Sequence, residues 1–300
     1  MSNTNTINKN RRYKLTIGDY SKNEAFELET HQVTFDINKT SDNKTSSNSA
    51  SIEITNLDAE IENLINTDYV YVRLDVGYED DADLKTVYVG QAVSVITKKA
   101  GADIVTQVVC GTGYTELNHS SLSKVIPENT TVKEAFELIT KEIPNVSKGV
   151  FNGVNINSKI TKGYTTNGTV KEILDKLSDT YNVEWRLNDN VLFINDAGKG
   201  STDRYETAYV VNERTGLIGE PYKTSGDGRK GVEDETKTKG IQFSMLLNPN
   251  VTAGDIVKVE SDRIEGWFKV DDIRYYGGYR SNEWYGDVAC SYIEKVVNKT

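Results

Sequence analysis

The sequence predicts a mainly β protein with an α+β insert, in which two small β-barrel-type domains flank an α/β region with two similar capped helices. Strand-forming residues are abundant: Val, Ile and Thr are frequent, and 17 of the 300 residues are tyrosines. Short runs that alternate polar and apolar residues lie toward both ends of the chain. Between them, the motif Thr-Val-Lys-Glu begins two amphipathic segments. We therefore place an N-terminal domain at 1–112, an α/β domain at 113–199 and a C-terminal domain at 200–300.

The N-terminal domain is predicted from strand-like segments around one helix. These segments cover residues 13–17, 31–37, 49–56, 68–78, 87–97 and 102–110. In LDAEIENLIN, apolar residues at positions 57, 61, 64 and 65 recur at helical spacing, which predicts a short helix. Several strands with a single helix are typical of a small β-barrel or sandwich.

The α/β domain is predicted first from its two repeated segments. Thr131 and Thr169 each precede a glutamate by three residues, which is the spacing of a capping box. In that arrangement the threonine side chain accepts a hydrogen bond from a free helical N–H group, and the glutamate bonds back to the cap. Apolar residues follow on one face in both segments, which predicts helices over 131–143 and 169–181.

A β-hairpin is predicted directly after the second helix. YNVEWRL and VLFIND flank the turn sequence NDN, whose residues favour the tight turn between two strands. Val183, Trp185 and Leu187 alternate with polar residues, so we expect these three side chains to face one side. The region is therefore an α-β-β unit.

The C-terminal domain is predicted from strand-rich segments and their turns. Residues 223–240 combine Gly, Lys and acidic residues with almost no apolar side chain, which predicts a mobile loop. Beyond it, WFKVDDIRYYGGYR and EWYGDVACSYIEKVV have the composition of strands.

The stretch GIQFSMLLNPNVTAGDIVKVES is predicted to form two strands joined by a barrel corner. Pro249 cannot donate a backbone hydrogen bond and Gly254 can adopt a positive φ, so both favour a turn between strands. We expect Leu246, Ile256 and Val259 to pack inside a C-terminal barrel.

The charge of the chain disfavours whole classes of function. The net charge is −10, from 45 acidic and 35 basic residues, and such a field repels polyphosphate. A dedicated nucleic-acid binder is therefore not expected. The start MSNTNTINKNRR lacks the apolar region of a secretory signal, and no apolar run approaches the roughly 20 residues needed to span a bilayer. We expect no membrane insertion.

No catalytic set or metal site emerges from the residues. A nucleophile and base could come from Cys110 or a serine with His31 or His119, but Cys110 ends an apolar strand. Cys110 and Cys290 are expected to be buried, reduced thiols. There is no Gly-x-Ser-x-Gly motif and no zinc-ligand spacing, and the acidic run at 79–83 lacks the pattern of a calcium loop. We predict no enzymatic activity, no metal and no cofactor.

Aromatic residues late in the chain form a candidate protein interface. Tyr and Trp give large contact areas at low entropic cost and are enriched at interfaces. The candidates are Trp267, Tyr275, Tyr276, Trp284 and Tyr285. The same side chains could instead fill the core of a barrel, and the sequence leaves both interpretations open.

Eight short segments carry a resemblance to a known family. They are Phe35-Asp36-Ile37, Ile52-Glu53-Ile54-Thr55-Asn56-Leu57, Val76-Gly77-Tyr78, Val87-Tyr88-Val89-Gly90, Gly216-Leu217-Ile218-Gly219-Glu220-Pro221, Leu246-Leu247-Asn248-Pro249 with Gly254-Asp255-Ile256-Val257, and Glu283-Trp284-Tyr285. In these segments, which span most of its length, the chain resembles the baseplate hub proteins of contractile-tailed bacteriophages.

The resemblance implies a structural protein of the phage tail baseplate in the virion, assembled in the host cytoplasm. Such a hub is a homotrimer whose two related barrels per chain form a pseudo-sixfold ring between the tail tube protein and the spike protein, with baseplate wedge proteins around it. DNA would pass through the ring without specific binding, and the acidic balance of this chain suits such a passage.

Two other functions remain open from the sequence alone. One is a carbohydrate- or cell-surface-binding β-module, in which Trp267 and Trp284 would stack on sugars. The other is a cell-wall hydrolase that uses carboxylates not singled out by any motif.

Overall fold

The computed structural model describes residues 10–19, 24–42, 48–67, 70–197, 208–224 and 240–293. Within these ranges the chain is mainly β, with one 13-stranded sheet and two small sheets. The mobile loop predicted at 223–240 lies outside the described residues except for its two ends.

The N-terminal region supplies seven described strands and one helix. They are β1 (Arg11–Asp19), β2 (Glu24–Leu28), β3 (Val33–Thr40), β4 (Ser49–Thr55), α1 (Ala59–Ile65), β5 (Val70–Tyr78), β6 (Lys85–Ala100) and β7 (Asp103–Gly111). The predicted helix and six predicted strands are confirmed. The sequence prediction missed β2, because only Phe26 and Leu28 of its five residues turn toward the core.

The middle region contains three helices, five strands and a single 3₁₀ turn among its described residues. They are α2 (Tyr114–Asn118), β8 (Ser121–Ile126), α3 (Val132–Thr140), β9 (Ser147–Asn152), the 3₁₀ turn (Asn155–Asn157), β10 (Tyr164–Thr169), α4 (Val170–Tyr181), β11 (Val183–Asn188) and β12 (Val191–Asp196). β8 pairs with β10, while β12 pairs antiparallel with β11 and parallel with β9.

Both predicted capping boxes are confirmed. The Thr131 hydroxyl accepts from the Glu134 N–H at 3.2 Å, and the Glu134 carboxylate accepts from the Thr131 N–H at 2.7 Å. These bonds stabilise the charged form and hold the pKa of Glu134 below its usual value. The same pair of bonds joins Thr169 and Glu172 at 3.3 and 2.8 Å.

The predicted hairpin is also present. Asp189 and Asn190 form its two-residue turn with φ of 51° and 61°, as a type I′ turn requires. Val183, Trp185 and Leu187 are buried together, as their alternation predicts.

The C-terminal region contributes six described strands and one 3₁₀ turn. They are β13 (Tyr209–Val211), the 3₁₀ turn (Glu213–Thr215), β14 (Leu217–Thr224), β15 (Gly240–Leu246), β16 (Ile256–Glu260), β17 (Glu265–Gly278) and β18 (Trp284–Tyr292). All of these strands join the large sheet.

The sequence predicts two separate barrels, but the two β-rich ends form one sheet, because one long strand belongs to both ends. β17 pairs with β3 from Asp272↔Thr40 to Gly278↔Thr34, while its first half pairs with β16. The register of β17 against β18 shifts between Val270 and Asp272, where one half gives way to the other. Eleven strands of the large sheet therefore run in one continuous order, β14-β15-β18-β17-β3-β4-β7-β6-β5-β1-β2, while β13 and β16 pair beside this path. The described strands form no closed barrel.

The described residues form two hydrophobic cores, one in the large sheet and one in the middle region. One cluster combines residues of both ends, for example Ile52 and Leu74 with Phe243 and Phe268. The second cluster runs from Leu117 to Ile194, within the predicted 113–199 region. The middle region therefore has its own core, whereas the two ends share one.

The corner between β15 and β16 is confirmed, but part of its predicted packing is wrong. Val259 is buried, whereas Leu246 and Ile256 are only half-buried. Met245 and Val257 take the inward positions instead. Adjacent strand residues point to opposite faces, and both segments have apolar residues side by side, so the sequence pattern did not distinguish the two registers.

Candidate functional site

The most organised polar site is the junction where the β11–β12 hairpin meets both β-rich ends. Asp189, at the hairpin tip, accepts two bonds from the Lys39 ammonium at 2.8 and 2.9 Å. It also accepts the Val89 N–H at 3.0 Å. The side chain of Lys39 is only 2% exposed, and a buried cation needs a close counter-ion. One carboxylate therefore holds the middle region against β3 and β6.

A chain of buried amides extends this junction across the molecule. The Asn48 amide donates to the Leu187 carbonyl at 2.8 Å and to the Asn188 side-chain oxygen at 2.6 Å, while its own oxygen accepts from the Thr40 N–H. The Asn188 amide in turn donates to the Ala253 carbonyl at 3.3 Å. The hairpin is thereby bonded to the N-terminal region and to the C-terminal corner.

A second ion pair secures the opposite side of the hairpin. The buried Lys269 on β17 bonds to Glu184 on β11 at 2.7 Å, with Asp271 4.0 Å from the same ammonium. Partial burial raises the pKa of Asp271 to about 6, although Lys269 and a hydrogen bond from Ser291 favour its charged form. The Lys269 charge is thus neutralised mainly by a residue of the middle region.

Gly254 lets the corner between β15 and β16 approach the β11–β12 hairpin closely. Its φ is 88°, and a β-carbon at this position would lie 2.4 to 2.7 Å from the Arg186 guanidinium. Arg186 also lies over the Phe193 ring at 4.7 Å. The corner is therefore the surface on which the hairpin docks.

The five predicted interface aromatics do not form one surface. Tyr275 and Trp284 are buried in the large core, where the Tyr275 hydroxyl donates to the Val251 carbonyl and Trp284 meets Phe35 edge-on. Neither side chain is open to a partner or a sugar. This correction removes one of the two tryptophans proposed to stack on sugars.

The other three predicted interface residues reach the surface. Tyr276 and Tyr285 pack against each other on the outer face of the sheet, with ring centroids 5.8 Å apart, and Arg274 lies over Tyr276. Trp267, toward the start of β17, is 37% exposed. An interface at these residues stays a prediction.

The sequence reasoning missed the junction, although one signal was present. NDN was recognised only as a turn, and its Asp189 is the central acceptor. Lys39 belongs to a polar segment with the composition of an exposed loop, and its partner lies 150 positions away. Strand alternation alone would have separated Tyr275 from Tyr276.

Cys110 and Cys290 are free and buried, as predicted, and burial raises the pKa of the Cys110 thiol to about 12. The described ranges contain no cluster of three or more residues suited to hold a metal ion. No helix in them is long and apolar enough to cross a membrane.

The fold and the junction define a mainly β protein in which an α/β unit is fixed across one continuous sheet. Residues 14–290 match a family model described as "Baseplate hub gp41", and the chain belongs to this family of phage baseplate proteins. The resemblance to baseplate hubs seen in the sequence is therefore confirmed. A comparison with curated protein sequences finds no match.

Solved structures of two tail proteins share this fold. A tail protein from Neisseria meningitidis MC58 superposes with a TM-score of 0.62 at 13% identity, covering 93% of this chain and 96% of its own. The 43 kDa tail protein of prophage MuSo2 from Shewanella oneidensis gives 0.61 at 9% identity, covering 94% and 98%.

A secretion-system protein is similar as well. The E. coli c3393 protein, described as a component of the type VI secretion system with structural similarity to the T4 tail proteins gp27 and gp5, gives a TM-score of 0.60 at 13% identity. The match covers 88% of this chain and 74% of that one.

Proposed function

We propose that this protein is a non-enzymatic baseplate hub, which forms a homotrimeric ring between the tail tube and the central spike and lets DNA pass. Membership of the baseplate hub family supports the baseplate role and a place in the virion. Assembly would take place in the host cytoplasm, with tube, spike and wedge proteins as partners.

The observation that carries the ring proposal is the pairing of β17 with β3. This pairing makes both β-rich ends of one chain present a single face. Three chains would then contribute two similar units each, as a pseudo-sixfold ring requires. A hexameric tube could bind one side of such a ring and a trimeric spike the other.

The outer face of β4, β3, β17 and β18 is mainly acidic, which supports the proposal that it lines the DNA channel. Its alternating outward residues include Asp36, Glu53, Asp272 and Asp287. Within these four strands as described, Arg274 is the one outward-facing cation, and it is bound to Asp36 with its closest contact at 2.6 Å. A wall of net negative charge repels the DNA backbone, so DNA slides past without binding.

The native mass at micromolar concentration tests the ring. We expect a trimer of the 33.5 kDa chain, either alone or once the tail tube or spike protein is added. A strict monomer that ignores both partners would contradict the proposal.

A charge reversal tests the channel face within the assembled ring. Glu53→Lys with Asp272→Lys should create salt-sensitive DNA binding that the unmodified ring lacks, because the reversed wall attracts phosphate. Asp179→Lys with Glu142→Lys, on the middle region, is the control and should leave the ring without DNA affinity. Equal DNA binding by both variants would argue against this face as the channel.

A further inference from the structure

The strand β6 continues beyond its neighbour and leaves one edge open. Its pairing with β5 begins at Tyr71↔Gln91, whereas its pairing with β7 continues to Ala100↔Asp103. Among the described strands, residues 92–100 therefore pair on one side only. Val93 and Ile96 on this segment are exposed. The register of β6 against β7 shifts between Ala92 and Ser94. Beyond that shift the strand edge still offers N–H and C=O groups to another strand.

A groove runs along the first part of this open edge. It has a volume of about 540 Å³ and is lined by Gln91 to Val95 of β6, by the end of α1 at Ile65 and by Tyr114 and His119 around α2. In strand addition, an extended segment of another chain lies beside the open edge of a strand. Here such a segment would lie in the groove between β6 and the residues of α1 and α2. The surface is therefore shaped to take an extended segment.

The described strands of the large sheet include three further edges, and only one suits this groove. β13 pairs with β16 alone, but it is only three residues long. β14 lies at one end of the strand order, but it contains Pro221, which has no backbone N–H group to donate and so discourages pairing. β2 lies at the other end and pairs with β1 alone among the described strands. Its five residues contain no proline and pair in an unbroken register.

The open edges of β6 and β2 carry opposite charges. Lys98 and Lys99 are exposed at the tip of β6, whereas Glu24 and Glu27 are exposed on β2 and Glu29 follows it. Glu27 also bonds to Lys14 at 2.6 Å, so part of its charge is already balanced. Glu24 and Glu29 remain, and they match Lys98 and Lys99 in number.

We propose that the open edge of β6 in one copy pairs with the β2 edge of the next copy. This inference rests on the proposed ring and specifies its subunit contact. Because the two edges are different surfaces, the contact is head-to-tail, and repetition of a head-to-tail contact closes into a ring when the rotation allows. Strand addition would satisfy the free backbone groups of both edges.

Cross-linking between the edges tests the contact directly. Ser94→Cys and Ala25→Cys place exposed thiols on the two strands, and the buried native thiols have raised pKa values and should not react. A short bis-maleimide should then join separate chains into dimers and trimers on a denaturing gel. Ala25→Cys with Lys176→Cys, on the exposed face of α4, is the control and should give no such ladder.

Charge reversal tests the same contact without new thiols. Lys98→Glu with Lys99→Glu should weaken self-association at least about tenfold, because like charges would then face each other. Adding Glu24→Lys and Glu29→Lys should restore it. Lys162→Glu with Lys176→Glu, on the middle region, should have no such effect.

The outcomes separate this contact from the ring itself. A ring that gives no cross-link and tolerates the reversal overturns the β6–β2 pairing and leaves the hub proposal standing. A monomeric unmodified protein, alone and with its partners, overturns both.

Discussion

The buried ion pair between Lys39 and Asp189 gives the sharpest test of how the middle region is fixed to the sheet. Asp189→Asn removes the charge, keeps an oxygen for the Val89 N–H and tolerates the positive φ of the turn. Lys39, 2% exposed, would then be buried without its carboxylate. Removing one partner of a buried pair costs about 3–5 kcal/mol. Because the Asp189 side chain is 21% exposed, we expect the lower end, about 3 kcal/mol.

A second substitution distinguishes the contribution of the Lys39 charge to stability from the contribution of its packing. Lys39→Met keeps the buried stem and removes the ammonium, so the double variant with Asp189→Asn should be more stable than Asp189→Asn alone. Urea unfolding followed by circular dichroism and tryptophan fluorescence measures both differences. A loss below about 0.5 kcal/mol for Asp189→Asn, or simple additivity in the double variant, would refute a buried, mutually dependent pair.

Three other perturbations follow from the structure. Gly254→Ala should lower the free energy of unfolding by about 1–3 kcal/mol. Gly101→Ala is the control and should cost less, because φ is also positive there but nothing lies within 4 Å of the added carbon. Equal losses in the two variants would show that the contact with Arg186 is not the cause. Thr131→Ala and Thr169→Ala should each cost about 1 kcal/mol in urea unfolding, and rescue by serine would confirm that the cap is responsible, whereas no loss would contradict it. Asp271 has a pKa of about 6 in the folded state, above its value of 3.8 in the unfolded state, so its ionisation lowers the free energy of unfolding as the pH rises between these values. Asp271→Asn should therefore raise the melting temperature most above pH 6. A difference in melting temperature that grows toward pH 4 would contradict this prediction.

Local signals in the sequence were enough for much of the fold. The capping boxes at Thr131 and Thr169 and the NDN turn each act within a few residues, so their outcome depends little on distant contacts. Six strands of the N-terminal region and α1 were found in the same way, whereas α2, β8, β9 and β10 were not predicted. β2 was missed because a short edge strand needs little apolar alternation.

The arrangement of the site depends on pairings that no local pattern contains. Lys39 meets Asp189, and β3 meets β17, across separations of well over a hundred residues. Tyr275 and Trp284 became core residues because of the face on which their strands placed them. The sequence was enough to recognise the family and many of the elements, but the joining of two β-rich ends into one sheet required the structure.

An electron cryomicroscopy map of the purified assembly tests the proposed ring and its channel together. We expect three copies around an open channel, with Asp36, Glu53 and Asp272 of each copy facing the axis. A closed assembly without a channel, or a ring with this acidic face turned outward, would contradict it.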